Sequence, residues 1–216
     1  MNQQSIVQHL GAVTFPAFMA ERVYMHEFRK ESGLPVELQH WQPTVDAMLQ
    51  QVDTDGPIYL MVDQKALVAG ELHRRPGVHV DGYWHPALQA HGGGHGSVPG
   101  HRPAPAPRHG GISAKGRWDT PNNWAHADFS EPEGIILASD VQACRAYVGS
   151  YTGIPGEGGD FSHLDLNQLD QVALLPGQVY AGNVSMLHET LPVAQACTRT
   201  LVRLNVPGWT PKEMQC

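Results

Sequence analysis

Between Ile58 and Gly208 the chain is a series of short apolar runs cut by turn residues, and that punctuation limits what it can fold into. Ile58-Tyr59-Leu60-Met61-Val62, Gly134-Ile135-Ile136-Leu137-Ala138-Ser139 and Cys144-Arg145-Ala146-Tyr147-Val148-Gly149 are each of strand length. So are 171–175, 178–183, 184–188 and Thr200-Leu201-Val202-Arg203-Leu204-Asn205-Val206, and Leu67-Val68-Ala69 continues the first of the set. Turn clusters separate them: Asp53-Thr54-Asp55-Gly56-Pro57, the Gly/Pro-rich 153–159, Pro176-Gly177 and Pro207-Gly208. Runs this short do not make long helices, and strands at turn-punctuated intervals close into a sandwich or barrel. The expectation is a mainly β chain of jelly-roll type, preceded by helices.

Those helices are expected in residues 1–56. Val45, Met48, Leu49 and Val52 fall at i, i+3, i+4 and i+7, one helical face, with Pro43 in the first turn. Residues 18–30 offer a second, weaker amphipathic helix. No internal repeat is visible, and 216 residues suit one domain with a sizeable core. The expected layout is a single domain over 1–216. A helical support region covers 1–56, and a jelly-roll core covers 57–208 with a long irregular loop at 85–126.

A net charge of −7 does not favour nucleic-acid binding or anionic membranes. The charge is uneven, however. Arg74, Arg75, Arg102, Arg108, Lys115 and Arg117 face only one acid, Asp81, across 74–117, so an anionic or acidic-group small molecule is the partner this segment suits. Cys144, Cys197 and Cys216 form neither a disulfide framework nor a zinc motif, and fit a reducing compartment. No apolar run approaches the ~20 residues that span a bilayer. The start of the chain lacks the basic residues of a secretory signal, so the expected location is cytoplasmic.

Gly77-Val78-His79-Val80-Asp81-Gly82-Tyr83-Trp84 carries the chemistry. In an extended segment side chains alternate, so His79 and Asp81 share one face and Val78 and Val80 the other. An imidazole and a carboxylate on one face are two-thirds of a facial metal site, and His188 is the candidate third ligand. Arg199 and Arg203 follow His188 on one strand face with Leu201. An arginine turned into a β core is costly unless it meets an anion, and a carboxylate is its natural bidentate partner.

His-x-Asp, a distant His, then an Arg about one strand later resembles the Fe(II)/2-oxoglutarate-dependent oxygenases, whose core is a double-stranded β-helix. The likeness covers about the last 150 residues and includes the Leu-Pro-Gly turn at 175–177; no subfamily is indicated. It implies that His79, Asp81 and His188 bind iron and that Arg199 holds the distal carboxylate of 2-oxoglutarate, with Arg203 second for that role. It further implies that O2 is consumed as 2-oxoglutarate decarboxylation is coupled to hydroxylation of a substrate. A carboxylate at Asp81 favours hydroxylation over halogenation. Two other readings stand beside it. One is a cupin-like metalloenzyme that does not use 2-oxoglutarate, although its usual mark is His-x-His. The other is a non-catalytic jelly-roll binding protein.

Within 85–126, His85, His91, His95, His101 and His109 form a Gly/Pro-spaced tract able to bind Ni(II), Cu(II) or Zn(II). The same segment is placed to serve as a lid, and Tyr83, Trp84, Trp118 and Trp124 to line a pocket. The Gly-rich 153–159 stretch lacks the Lys-Ser/Thr that closes a phosphate loop, and no Gly-x-Ser-x-Gly is present.

Overall fold

The computed structural model describes residues 2–82, 129 and 131–212. The loop at 85–126, with its histidines and tryptophans, therefore lies outside the described residues, as do Tyr83, Trp84 and Cys216. The described chain is mainly β, in two antiparallel sheets consistent with a β-sandwich.

The larger sheet has the order β2-β8-β5-β10-β4-β3, with β2 at Val7–Ala12, β3 at Arg22–Phe28, β4 at Ile58–Leu67, β5 at Glu133–Ser139, β8 at Gln178–Asn183 and β10 at Cys197–Pro207. The smaller sheet is built on β6 (Cys144–Thr152). It pairs with β1 (Asn2–Ser5), β7 (Asp170–Ala173) and β9 (Leu187–Thr190).

Period-two alternation on β10 separates the two faces of the larger sheet. Val202, Leu204 and Val206 join Ile58, Leu60, Val62 and Ile136 in a core with Trp41, Val45, Met48 and Leu49, so the only described α-helix, α1 (Gln42–Met48), covers this outer face. Arg199, Leu201, Arg203 and Asn205 point the other way, where Ile135, Leu137, Tyr180, Cys144, Ala146 and Met186 fill the space between the sheets. A third cluster of Val78, Val80, Tyr147, Tyr151, Phe161 and Leu187 packs the far face of the smaller sheet.

The strand expectations from Ile58 onward agree with β4, β5, β6, β7, β8 and β10, except that β4 ends at Leu67, short of Val68 and Ala69, and β7 ends at Ala173. Residues 184–186 instead form the turn out of β8, with Met186 N–H donating to the Asn183 carbonyl at 2.9 Å, so β9 starts at Leu187. The N-terminal region departs further. Residues 2–12 form two strands, and the expected helix at 18–30 is the edge strand β3. Its moderate amphipathicity loses to the free edge of β4, on which Met25 and Phe28 become buried. The helix expected from Pro43 onward is present but short, preceded by a 3-10 turn at Val36–Trp41. No helix among the described residues is long and apolar enough to cross a membrane.

Candidate metal centre

Pro76 and two glycines shape the stretch that carries the first two ligands. Gly77 (φ 84°) and Gly82 (φ 68°) both lie in the left-handed region that favours glycine, and a Cβ on Gly77 would come within 2.5 Å of Ser162 Oγ. Between them the chain is extended but too short for a regular strand. It makes single bridges at His79, to Asp160 on one side and to His188 on the other.

The second bridge assembles the site. His79 and His188 exchange both backbone hydrogen bonds, each at 3.0 Å, so they are a directly opposed antiparallel pair with side chains on one face. Their rings lie 4.4 Å apart between centroids. Asp81, two residues on, returns to the same face, and its Oδ2 is 3.5 Å from His188 Nε2. The ligating atoms of the three residues lie within 4.8 Å of one another, and all three residues are buried.

Hydrogen bonding at the other ring nitrogen decides what the imidazoles can do. His79 Nδ1 is 2.8 Å from the Gly77 carbonyl and His188 Nδ1 3.2 Å from the Met186 carbonyl. A carbonyl only accepts, so each Nδ1 carries the proton and each Nε2 keeps a lone pair. Burial, reinforced by His188 and Arg75, holds the His79 pKa well below its ordinary value. Burial likewise lowers that of His188, against the pull of Asp81. Two neutral imidazole lone pairs and a carboxylate therefore converge with no proton between them, which is the donor set of a divalent metal site. The backbone carbonyls behind Nδ1 fix tautomer and ring orientation, as outer-shell groups do in such sites.

Charged groups surround the triad. Arg203 Nη1 donates to Asp81 Oδ2 at 2.8 Å, and its Nη2 faces Met25 Sδ at 3.4 Å. Met25 itself has φ 49°, at the bulge where β3 shifts register on β4. On β4, buried Asp63 receives Arg74 Nη1 at 2.7 Å and Arg22 Nε at 3.1 Å, with His73 Nε2 at 3.4 Å. Burial would raise the Asp63 pKa, but His73 and Arg74 together outweigh it and hold the carboxyl well below the usual range.

Arg199 is different. It is completely buried, its Nε donates to Ser139 Oγ at 3.1 Å and its Nη2 to Cys144 Sγ at 3.1 Å, while Nη1 has no partner. No ion pair joins it to an acid among the described residues. Of the residues singled out from sequence, His79, Asp81, His188 and Arg203 thus meet at one point, and Arg199 stands further along β10 on the same face. Sequence reasoning missed Asp63, His73 and the Arg199 contacts to Ser139 and Cys144. Asp63 had a faint signal, as a carboxylate closing the apolar run of β4; the Cys144 contact crosses between sheets and had none.

No family model, no curated protein and no solved structure matches the chain.

Proposed function

We propose that the chain is a non-haem Fe(II)/2-oxoglutarate-dependent oxygenase of the hydroxylating kind, with the two sheets arranged as a jelly roll. The observation that carries the reading beyond a metal site is the Arg199 guanidinium, which is buried and, among the described residues, has no acid and keeps one nitrogen unsatisfied. Register relates it to the triad. His188 pairs with Ala146 and Thr190 with Cys144, and Arg199 reaches Cys144. The Arg199 guanidinium is thus associated with the residue pair about 7 Å along the strands from His188. A cation to hold one end and a buried guanidinium to hold the other is the pairing a short dicarboxylate requires.

His79, Asp81 and His188 would hold Fe(II) on one face and leave positions open for other ligands. Bound iron with 2-oxoglutarate would supply the O2 chemistry that couples decarboxylation to substrate hydroxylation. The protein's part is to keep both imidazoles neutral and aimed, to hold Asp81 through Arg203, to exclude water from the face between the sheets, and to anchor the far carboxylate at Arg199. Arg203 is already engaged by Asp81, which favours Arg199 for the anchor. Unpaired Cys144 and Cys197 fit a reducing compartment such as the cytoplasm.

Anaerobic calorimetry of 2-oxoglutarate into Fe(II)-loaded protein tests the anchor. Arg199→Gln is expected to weaken binding about a hundredfold, corresponding to ~3 kcal/mol for charge-assisted hydrogen bonds, while leaving Fe(II) affinity unchanged. Undiminished binding in Arg199→Gln together with a loss in Arg203→Gln would move the anchor one pair of residues towards the triad. Absence of binding to the wild type would remove the cosubstrate.

A further inference from the structure

Among the described residues, the arginines near Asp81 outnumber the acids ion-paired with them. Arg74 and Arg203 are each ion-paired, but Arg74 shares Asp63 with Arg22, and Arg203 draws on the same Asp81 oxygen that faces His188. Arg75 has no ion pair among the described residues. Its Nη1 donates to the Gly158 carbonyl and its Nη2 to the Val80 carbonyl at 3.4 Å, two neutral acceptors at the end of the short 78–80 ladder, and its buried Nε has no partner. The Asp160 carboxylate, which accepts from Ser162 at 2.7 Å, and that of Asp81 lie close enough to offset part of the Arg75 charge, but neither forms an ion pair with it. Because Arg75 binds the carbonyl of the residue just before Asp81, its charge stands beside the triad. A divalent cation on Asp81 would add to the positive surplus. Anionic ligands are what such a site is short of, and a cosubstrate anchored at Arg199 uses a different guanidinium.

We propose that Arg75 forms a subsite, beside the Asp81 edge of the metal centre, for an oxyanion group carried by the substrate, a carboxylate or a phosphate. The proposal rests on the oxygenase reading for what becomes of that substrate. The binding itself depends only on Arg75 and its neighbours. Neutral carbonyls hold the guanidinium plane in place without neutralising it, so it is preorganised for a planar two-oxygen acceptor or a phosphate edge. Arg74 and Arg203 lie close enough to Arg75 to add to the field, and each is already ion-paired, to Asp63 and to Asp81.

The test is titration of metal-free, full-length protein with inorganic phosphate and separately with acetate, followed by calorimetry and by the side-chain Nε–H resonance of Arg75. At least one of the two anions is expected to bind and to shift that resonance in the wild type. Arg75→Gln, which keeps a donor for the carbonyls and removes the charge, is expected to weaken binding about tenfold. Arg75→Lys, which keeps the charge, is expected to retain most of it. A response to phosphate alone or to acetate alone supports the subsite and names the group. Binding to neither anion, an unmoved Arg75 resonance, or equal affinity in Arg75→Gln would overturn it, and the wild-type resonance decides the matter even if that variant does not fold. Neither metal nor 2-oxoglutarate enters the titration. Failure here therefore leaves the cosubstrate test standing, and failure of that test leaves the anion subsite standing.

Discussion

Asp81→Ala is expected to lose metal affinity by at least about a hundredfold and, independently of metal, to destabilise the protein by ~3–5 kcal/mol. The first effect follows from removal of the only carboxylate in the triad. The second follows from Arg203, which is 4% exposed and has Asp81 as its ion-pair partner. Without that carboxylate, the side-chain hydrogen bond left to it among the described residues is to a methionine sulfur, and its Nε is already without a partner there. A guanidinium left in that position carries the full penalty of an uncompensated buried charge. His79→Ala separates the two effects. It removes a ligand but leaves the Asp81–Arg203 pair intact, so metal affinity falls while denaturant midpoints of the metal-free protein move less. The double variant Asp81→Leu/Arg203→Met is expected to recover much of the lost stability and none of the metal binding. Equal stability losses in His79→Ala and Asp81→Ala would show that Arg203 is not held as described.

Asp63→Asn is expected to have a comparable effect on stability, ~3–5 kcal/mol, for a related reason. Two guanidiniums and a buried imidazole converge on this carboxylate, which is 4% exposed, and an amide cannot neutralise the guanidiniums. The pH dependence has a definite sign. The folded-state pKa of Asp63 is depressed, so its contribution is fully present above the unfolded value near 4 and is lost as pH falls towards the folded value. Urea unfolding of wild type and variant should therefore differ by a constant amount between about pH 5.5 and 8, with the gap closing below about pH 4. A gap that widens in acid would mean that the carboxylate is not held by the cations around it. Arg74 also lies close enough to Arg203 and Asp81 to feel their charges. Its release should disturb the triad, and a smaller, separate loss of metal affinity is expected.

The parts of the molecule that were legible in the sequence are those in which local pattern and tertiary environment agree. β4, β5, β8 and β10 each contain a short apolar run because both faces are covered there, and such runs are recognisable without knowing what covers them. β10 also shows why the two arginines were informative. Set among Leu201, Val202, Leu204 and Val206, each had to face either solvent or an anion, and neither faces solvent. β1 and β3 were illegible for the opposite reason. Asn2-Gln3-Gln4-Ser5 has no strand pattern of its own, and is placed by the exposed edge of β6 and by Ser5, whose hydroxyl accepts from Leu187 N–H and donates to the Tyr147 carbonyl. The register of the triad was half legible. The two-residue spacing of His79 and Asp81 puts them on one face, but only the fold sets His188 directly opposite His79. The buried network on Asp63 assembles residues from β3, β4 and the segment before Gly77, and no spacing rule joins them.

The central claim is that His79, Asp81 and His188 hold iron in a site where 2-oxoglutarate also binds. The direct measurement is the visible spectrum of the protein on anaerobic addition of Fe(II) followed by 2-oxoglutarate. A charge-transfer band from the chelate is expected in the wild type, absent in His79→Ala and weakened or lost in Arg199→Ala at the same cosubstrate concentration. Wild-type protein that retains Fe(II) and shows no band on addition of 2-oxoglutarate would contradict the account.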